Sequence, residues 1–333
     1  MKIAKQFVSK HIAAVVALIF LSALIIFYKY LSIPQNISYD EIEFAQLALS
    51  LDKPAYSVYS PFATGHSTLY FYILLASFKL FGVSNFALRL PSALFGVITI
   101  PIFYLLMNKV FKNSLLAFLL ACTLLSMRWY FNFARFSFEA TFLLFLELTS
   151  SLFLFKFLAS KKKYFLILSA AAAGAAFHSY LPGRIFFILP LIFLLFQKAK
   201  KYALLFIIIF GLIASPLVIY LTQQPDTRLS QISILSNYKL TSSEKISQIA
   251  QSIKKTSLMF HLQGDMNGRH NFPGKPALNP ILGALFLIGF AAALKNYSKF
   301  SNRFFLFYFI LSLIPSILTR SQDNPNMLRT VTA

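Results

Sequence analysis

The chain has 333 residues, of which 58% are hydrophobic and 12% are charged, and its formal net charge is +21. Soluble domains carry about 25% charged residues, so this composition excludes an ordinary soluble protein. Apolar runs of about 20 residues recur along the chain, and the short alternating segments of a membrane barrel are absent. The lysines lie between the apolar runs, which favours membrane orientation over nucleic-acid binding. The sequence therefore predicts an all-α fold, a polytopic transmembrane helical bundle.

The N-terminal segment sets the predicted orientation. Lys2, Lys5 and Lys10 precede the first apolar run, and the positive-inside rule places them in the cytoplasm. The run 67–82 is short and contains Lys79. If it spanned the membrane, Lys161 to Lys163 would fall outside. If it is a juxtamembrane helix, these lysines lie inside, together with Lys198 and Lys201. We therefore predict that 67–82 is a juxtamembrane helix.

This topology gives one transmembrane domain over 1–333. Its first outer loop is 32–86 and its large outer loop is 222–277. The nine predicted spans are 12–31, 87–107, 114–131, 136–158, 164–181, 183–197, 202–221, 278–294 and 304–319. The chain ends at Ala333 on the outer side, which leaves open that further spans follow.

The predicted outer face collects most of the arginines and carboxylates. Eight of the nine arginines lie there or at outer span ends: Arg89, Arg128, Arg135, Arg184, Arg228, Arg269, Arg320 and Arg329. All carboxylates except Glu147 lie on the same side. The guanidinium fork suits phosphate and carboxylate groups. The outer face is therefore predicted to bind an anionic ligand that carboxylates help to process.

The densest acidic stretch follows the first apolar run. Asp40, Glu41 and Glu43 fall within four residues, although the whole chain has only ten acidic residues. Acids near a helix start are also favoured by the helix dipole, which needs no catalytic role. Apolar surroundings, however, can raise a carboxylate's proton affinity and suit a general base. We predict Asp40 and Glu41 as catalytic residues, and Glu43 as a solvent-facing neighbour.

Other outer residues are candidates for binding the phosphate or another anionic part of the ligand. They are His66, Arg135, Glu139, Tyr180, Arg184, Arg269, His270 and Arg329. Each has a simpler alternative. His66 could be an interfacial histidine, and Arg135 and Glu139 could form an i,i+4 ion pair on one helical face. Tyr180 and Arg184 could flank a hairpin turn, and the alternative for Arg269, His270 and Arg329 is contact with lipid headgroups. In the large outer loop, Thr241-Ser242-Ser243-Glu244 predicts a capping box and a helix with an apolar stripe.

The order of these fragments resembles the GT-C membrane glycosyltransferases of family 39, which include protein O-mannosyltransferases and the lipid A aminoarabinose transferase. The resemblance is carried by Tyr39-Asp40-Glu41, His66 with Leu69 and Tyr70, Phe81-Gly82-Val83-Ser84, Arg89-Leu90-Pro91-Ser92, Arg135 with Glu139, Ser179-Tyr180-Leu181-Pro182, Gly264-Asp265 to Arg269-His270-Asn271, and Leu328-Arg329. It extends over nearly the whole chain.

The resemblance implies an inverting transfer of a sugar from a polyprenyl-phosphate donor, at the outer face of the cytoplasmic membrane. Asp40 would support the transfer and Glu41 would assist; the acceptor would be a lipid, glycan or protein, and nucleic acid is not a partner. The aminoarabinose transferase has a metal-binding acid where this chain has Gly65, so no cofactor is assigned and a divalent metal stays open. The alternatives are a lipid-sugar flippase, which would show internal repeats, and a non-catalytic assembly subunit.

Overall fold

The computed structural model describes residues 2–197 and 200–333, without the side chains of residues 2–10; the predicted cytoplasmic side chains of Lys2, Lys5, Lys10 and Lys198 lie outside it. The fold is almost entirely helical. Two compact units divide the chain: the first contains residues up to Asp52 and Tyr70–Ala173, and the second contains Lys53–Leu69 and Gly174–Ala333.

The first unit is built around one long helix. In chain order its helices are α1 (Lys2–Phe27), α2 (Tyr39–Ser50), α3 (Leu69–Phe81), α4 (Asn85–Phe111), α5 (Ser114–Ser126), α6 (Arg128–Arg135), α7 (Ala140–Ser160) and α8 (Lys163–Phe177), which continues into the second unit. Helix α4 packs against α1, α5, α6 and α7. Small residues permit close packing at one such crossing, where a Cβ on Gly96 would lie 2.7 Å from the Ala134 side chain.

The second unit combines a two-stranded hairpin with the later helices. Strands β1 (Tyr59–Ser60) and β2 (His66–Ser67) pair antiparallel. The helices are α9 (Gly183–Phe186), α10 (Ile188–Phe196), α11 (Lys200–Gln223), α12 (Thr227–Ile232), α13 (Ser242–Leu258), α14 (Pro280–Lys295) and α15 (Phe300–Ile317), followed by a 3₁₀ turn at Ser321–Asp323. Helix α15 packs on α9, α10, α13 and α14.

Each predicted span coincides with helical structure, but their lengths differ. In the described chain, four helices are long and apolar enough to cross a membrane: α4, α7, α11 and α15. The bent pair α5 and α6 would make a fifth. The other predicted spans correspond to shorter apolar helices, so the count of nine stays a prediction. The predicted juxtamembrane segment forms α3.

Two predicted spans contain breaks in the helix that the sequence did not indicate. Residues 114–131 are not one straight helix, because Met127 is extended and α5 and α6 are bent by 63°. Residues 136–158 do not start a helix at 136; α6 ends at Arg135 and α7 begins at Ala140. Tertiary bonding accounts for the second break, since the Ser137 amide donates to Glu41 instead of to a helical carbonyl. Arg135 and Glu139 therefore do not share one helix, and the predicted i,i+4 geometry was wrong.

Candidate functional site

In the first unit, the acidic stretch forms the opening turn of α2. Ser38 is the N-cap: its hydroxyl accepts from the Glu41 amide, while the Glu41 carboxylate accepts from the Ser38 amide at 3.0 Å. This reciprocal capping box fixes the start of the helix. Asp40 lies in the same turn with a half-buried side chain, whereas Glu41 is fully buried. The two predicted catalytic carboxylates thus lie in different surroundings.

Glu41 forms a buried ion pair with Arg89 of α4. Arg89 Nε donates to Glu41 Oε1 at 2.8 Å and Nη2 donates to Oε2 at 3.1 Å, and the Ser137 amide donates to Oε1 at 3.2 Å. Arg89 also donates to the carbonyls of Pro34 and Asn36. With all these bonds and no exposed surface, Glu41 is placed to position α2 relative to α4 rather than to contact a substrate.

Arg135 also donates hydrogen bonds to backbone carbonyls that are far from it in sequence. Its guanidinium donates to the Ile33 carbonyl at 2.8 Å, to the Lys29 carbonyl at 2.7 Å, and to the Tyr28 carbonyl. Arg135 is 1% exposed, as is Glu139. The structure therefore gives Arg135 a role in holding the segment that follows α1. This placement does not favour the predicted contact of Arg135 with a donor phosphate.

In the second unit, His66 lies on β2 next to a tight turn. Gly65 has φ +104°, and a Cβ there would lie 2.2 Å from the Tyr59 hydroxyl and 2.3 Å from Thr227 Oγ1. His66 is buried, and its Nε2 lies 2.9 Å from the Ala63 carbonyl oxygen. Arg228 Nη1 lies 2.6 Å from the same nitrogen, so Nε2 faces both a carbonyl oxygen and a guanidinium.

A carboxylate network lies beside this hairpin. Asp226, the N-cap of α12, forms an ion pair with Arg184. It also accepts from the Tyr59 hydroxyl at 2.9 Å and from the Leu229 amide at 3.0 Å. Burial opposes ionisation of Asp226, but Arg184 and these donors outweigh it and hold the carboxyl pKa below its usual value. Burial is also the main cause of the raised pKa of Tyr59, so that phenol stays protonated and donates.

Arginines converge on the same hairpin. Arg228 Nη1 lies 2.6 Å from His66 Nε2 and 3.1 Å from Nδ1, and its guanidinium stacks 5.5 Å from the ring centre of the buried Tyr180. Arg184 donates to Ser67 at 3.2 Å, while its buried Nε has no hydrogen-bond partner in the described structure. This group, comprising Tyr59, His66, Tyr180, Arg184, Asp226 and Arg228, is called the hairpin cluster below.

The turn-rich stretch 264–275 forms a second polar site in this unit. Asp265 is buried and accepts from His270 Nδ1 at 2.8 Å and from the Met327 amide at 2.9 Å. Arg269 donates to Asn267. A Cβ on Gly264 would lie 1.9 Å from the Lys275 carbonyl oxygen, so only glycine fits this approach. Asp265 thereby joins this loop to the segment that carries Arg329.

The predicted site residues thus fall into two groups. Asp40, Glu41, Arg135 and Glu139 belong to the first unit; His66, Tyr180, Arg184, Arg269, His270 and Arg329 belong to the second. Arg329 donates to Thr319 at 2.8 Å and lies 4.0 Å from Asp323. Sequence reasoning left several residues of these networks out of the site, among them Tyr59, Arg89, Asp226, Arg228 and Asp265. The Ser38-x-x-Glu41 pattern could have shown that Glu41 caps a helix.

A search with profiles of protein families matches residues 65–220 to the family described as Dolichyl-phosphate-mannose-protein mannosyltransferase. This segment of the chain is similar to that family. The match begins at Gly65 and contains three residues of the hairpin cluster: His66, Tyr180 and Arg184. A search of curated proteins with the sequence gives no match.

Two solved structures show the fold. ArnT from Cupriavidus metallidurans bound to undecaprenyl phosphate matches with a TM-score of 0.53 and 14% identity, covering 99% of this chain and 58% of that one. The archaeal oligosaccharyltransferase AglB from Archaeoglobus fulgidus, in complex with an inhibitory peptide and a dolichol-phosphate, matches with a TM-score of 0.56 and 13% identity, covering 97% and 49%. The chain therefore has the GT-C fold of membrane glycosyltransferases, and spans about half the length of these structures.

Proposed function

We propose that this protein is a glycosyltransferase that moves a sugar from a polyprenyl-phosphate donor to an acceptor at the outer face of the cytoplasmic membrane. The family match and the GT-C fold support the reaction class. The two matched structures hold undecaprenyl phosphate and a dolichol-phosphate, which supports a polyprenyl-phosphate donor. The sequence topology, with lysines inside and arginines outside, supports the orientation.

The observation that carries the proposal is the hairpin cluster. It brings two guanidinium groups, Arg184 and Arg228, to one short hairpin, and the buried Nε of Arg184 has no acceptor in the described residues. A buried donor without a partner is costly, and a phosphate oxygen would satisfy it. A leaving polyprenyl phosphate accumulates negative charge as the sugar departs, and fixed guanidinium groups stabilise that charge.

Asp40 is the proposed catalytic carboxylate. Its side chain is half-buried in the turn that Glu41 anchors through Arg89. A carboxylate on a fixed helix start can accept a proton from an acceptor nucleophile or stabilise a cation-like sugar centre. We propose that Asp40 acts directly and that Glu41, the predicted helper, acts by positioning. The inverting outcome follows from the family resemblance and stays part of the proposal.

The test is transfer from dolichyl-phosphate mannose, with undecaprenyl-phosphate-linked sugars as further donors, in proteoliposomes. Asp40→Asn keeps the side-chain shape and removes the charge, so transfer should fall by about 100-fold or more while the melting temperature stays unchanged. Glu43→Gln, in the same helix, is the matched control and should retain activity. Unchanged transfer in Asp40→Asn would overturn the role of Asp40.

The same preparation separates the proposal from its alternatives. A flippase would move the labelled donor across the bilayer without forming product, and the rate of that movement would not depend on Asp40. An assembly subunit would tolerate loss of the Asp40 charge in cells. Cysteine labelling at Lys161 to Lys163 should report a cytoplasmic position; labelling from outside would overturn the proposed orientation.

A further inference from the structure

The turn before His66 bears on the role of a metal ion in the proposed transfer. The aminoarabinose transferase that this chain resembles has a metal-binding acid at the position of Gly65. Gly65 adopts φ +104°, a conformation that side-chain-bearing residues rarely adopt. The space a side chain would need is already filled by the Tyr59 hydroxyl and Thr227 Oγ1, 2.2 and 2.3 Å from an added Cβ. A side chain at this position would require the Tyr59 and Thr227 side chains to shift, and the positive φ would strain its backbone as well.

Asp226, the carboxylate of the hairpin cluster, already has other hydrogen-bond and ionic partners. One oxygen of Asp226 accepts from Tyr59 and from the Leu229 amide, and the other accepts from Arg184. An ion pair with a guanidinium already neutralises its charge. Asp226 would have to give up Arg184 before it could ligate a cation.

His66 offers no better ligand. Its Nε2 lies 2.9 Å from the Ala63 carbonyl oxygen, and Arg228 Nη1 lies 2.6 Å from Nε2 and 3.1 Å from Nδ1. A divalent cation at either ring nitrogen would meet the repulsion of this permanent positive charge. Within the described part of the chain, no three His, Cys, Asp or Glu side chains are grouped so that they could hold a metal ion.

We infer that this protein recognises its phosphate-bearing donor without a bound divalent metal, and that Arg228, held between His66 and Tyr180, supplies the positive charge. The inference rests on the proposed function for the identity of the donor, but the closure of position 65 is a property of the chain itself. Arginine is suited to this role because its guanidinium stays charged and still has donors available when one of them contacts His66.

The first measurement is metal content. The full chain, purified in nanodiscs without chelator, is analysed by elemental mass spectrometry beside a His66→Ala variant. We expect substoichiometric metal in both samples. One equivalent of a divalent metal in the wild-type chain, lost in His66→Ala, would overturn the inference whether or not a lipid binds.

The second measurement is binding of undecaprenyl phosphate to the same nanodiscs. Treatment with EDTA should leave the dissociation constant within about twofold, and added Mn²⁺ or Zn²⁺ should not lower it. Arg228→Ala should weaken binding by about tenfold or more, with partial recovery in Arg228→Lys. Lys239→Ala removes an exposed charge of the large outer loop as the matched control.

The outcomes distinguish this inference from the proposed function. Binding that EDTA abolishes and one metal restores would overturn the inference and leave the proposed function standing. Wild-type protein that binds no polyprenyl phosphate under either condition, yet carries no metal, would contradict the proposed function and leave the closed metal position standing. An unchanged dissociation constant in Arg228→Ala would overturn the role of Arg228.

Discussion

Two helices of this protein begin with the same local pattern and differ in almost everything else. Helix α2 in the first unit starts with Ser38 and Glu41, and α13 in the second starts with Thr241 and Glu244; both form complete capping boxes. Glu41, however, is fully buried and paired with Arg89, whereas Glu244 and Thr241 are exposed. The local motif determines where a helix begins, and residues distant in sequence determine whether its first turn is buried and ion-paired.

The consequence is visible in the chemistry of the two glutamates. Hydrogen bonds from Thr241 lower the pKa of Glu244, and the Glu244 side chain is exposed. Glu41 instead depends on Arg89 and the Ser137 amide, which come from parts of the chain far from it in sequence. The same four-residue pattern is therefore a local cap in α13 and a tertiary junction in α2.

The sharpest test of this difference is Glu41→Ala. Removing one partner of a buried ion pair leaves the other charge uncompensated, which costs about 3–5 kcal/mol. We expect a large loss of unfolding free energy in detergent, measured by chemical denaturation, and a fall in folded yield.

A double-mutant cycle with Arg89→Ala identifies the source of that loss. If the pair carries the effect, the double variant should be less destabilised than the sum of the two single variants. A Glu41→Ala variant with wild-type stability would mean that the buried pair contributes little and that the two capping boxes are equivalent.

An intermediate case is Asp226, which caps α12 and also pairs with Arg184. Its side chain is 10% exposed, between the extremes of Glu41 and Glu244. Asp226→Asn can keep the cap bond to the Leu229 amide but loses the ionic partner, so we expect a destabilisation of about 1–2 kcal/mol. Asp226→Ala removes the cap as well and should cost more; equal losses in both variants would assign the whole effect to the ion pair.

The pH dependence of the Asp226 effect has a defined sign. Because the folded-state pKa of Asp226 lies below its ordinary value of 3.8, the pair stabilises the fold above that pH and is lost as the pH falls through the lower folded value. The difference in unfolding free energy between wild type and Asp226→Asn should therefore be constant near neutrality and shrink in acid. A difference that changed between pH 6 and 8, roughly, would point to another group.

The helical fold follows from the sequence because hydropathy and length are local quantities. Every predicted span coincides with helix, and the capping box at Thr241 was predicted correctly. The breaks at Met127 and at 136–139 were missed because neither contains glycine or proline. The second break exists because the Ser137 amide bonds to Glu41, a partner that no window around Ser137 contains.

The candidate site was less accessible from sequence for the same reason. Charge sorting placed Arg184, Arg228 and the Asp226 carboxylate on the outer face. Their pairing with one another and with His66 depends on the folded hairpin. Gly65 could be read as the absence of a ligand; only the structure shows that Tyr59 and Thr227 fill its space. Pairing between distant segments, rather than residue type, is what the sequence alone lacked.

The smallest expected effect comes from the exposed capping box. Thr241→Ala removes the hydroxyl that accepts from the Glu244 amide, a change that costs about 1 kcal/mol in typical helix caps. Thr241→Ser keeps the hydroxyl and serves as the control. Hydrogen exchange of the first turn of α13 measures the effect directly, since the loss should be local and leave amides elsewhere in the second unit protected. Deprotection spreading to α15, which packs against α13, would show that this cap too supports tertiary structure, and the contrast with Glu41 would then be one of degree.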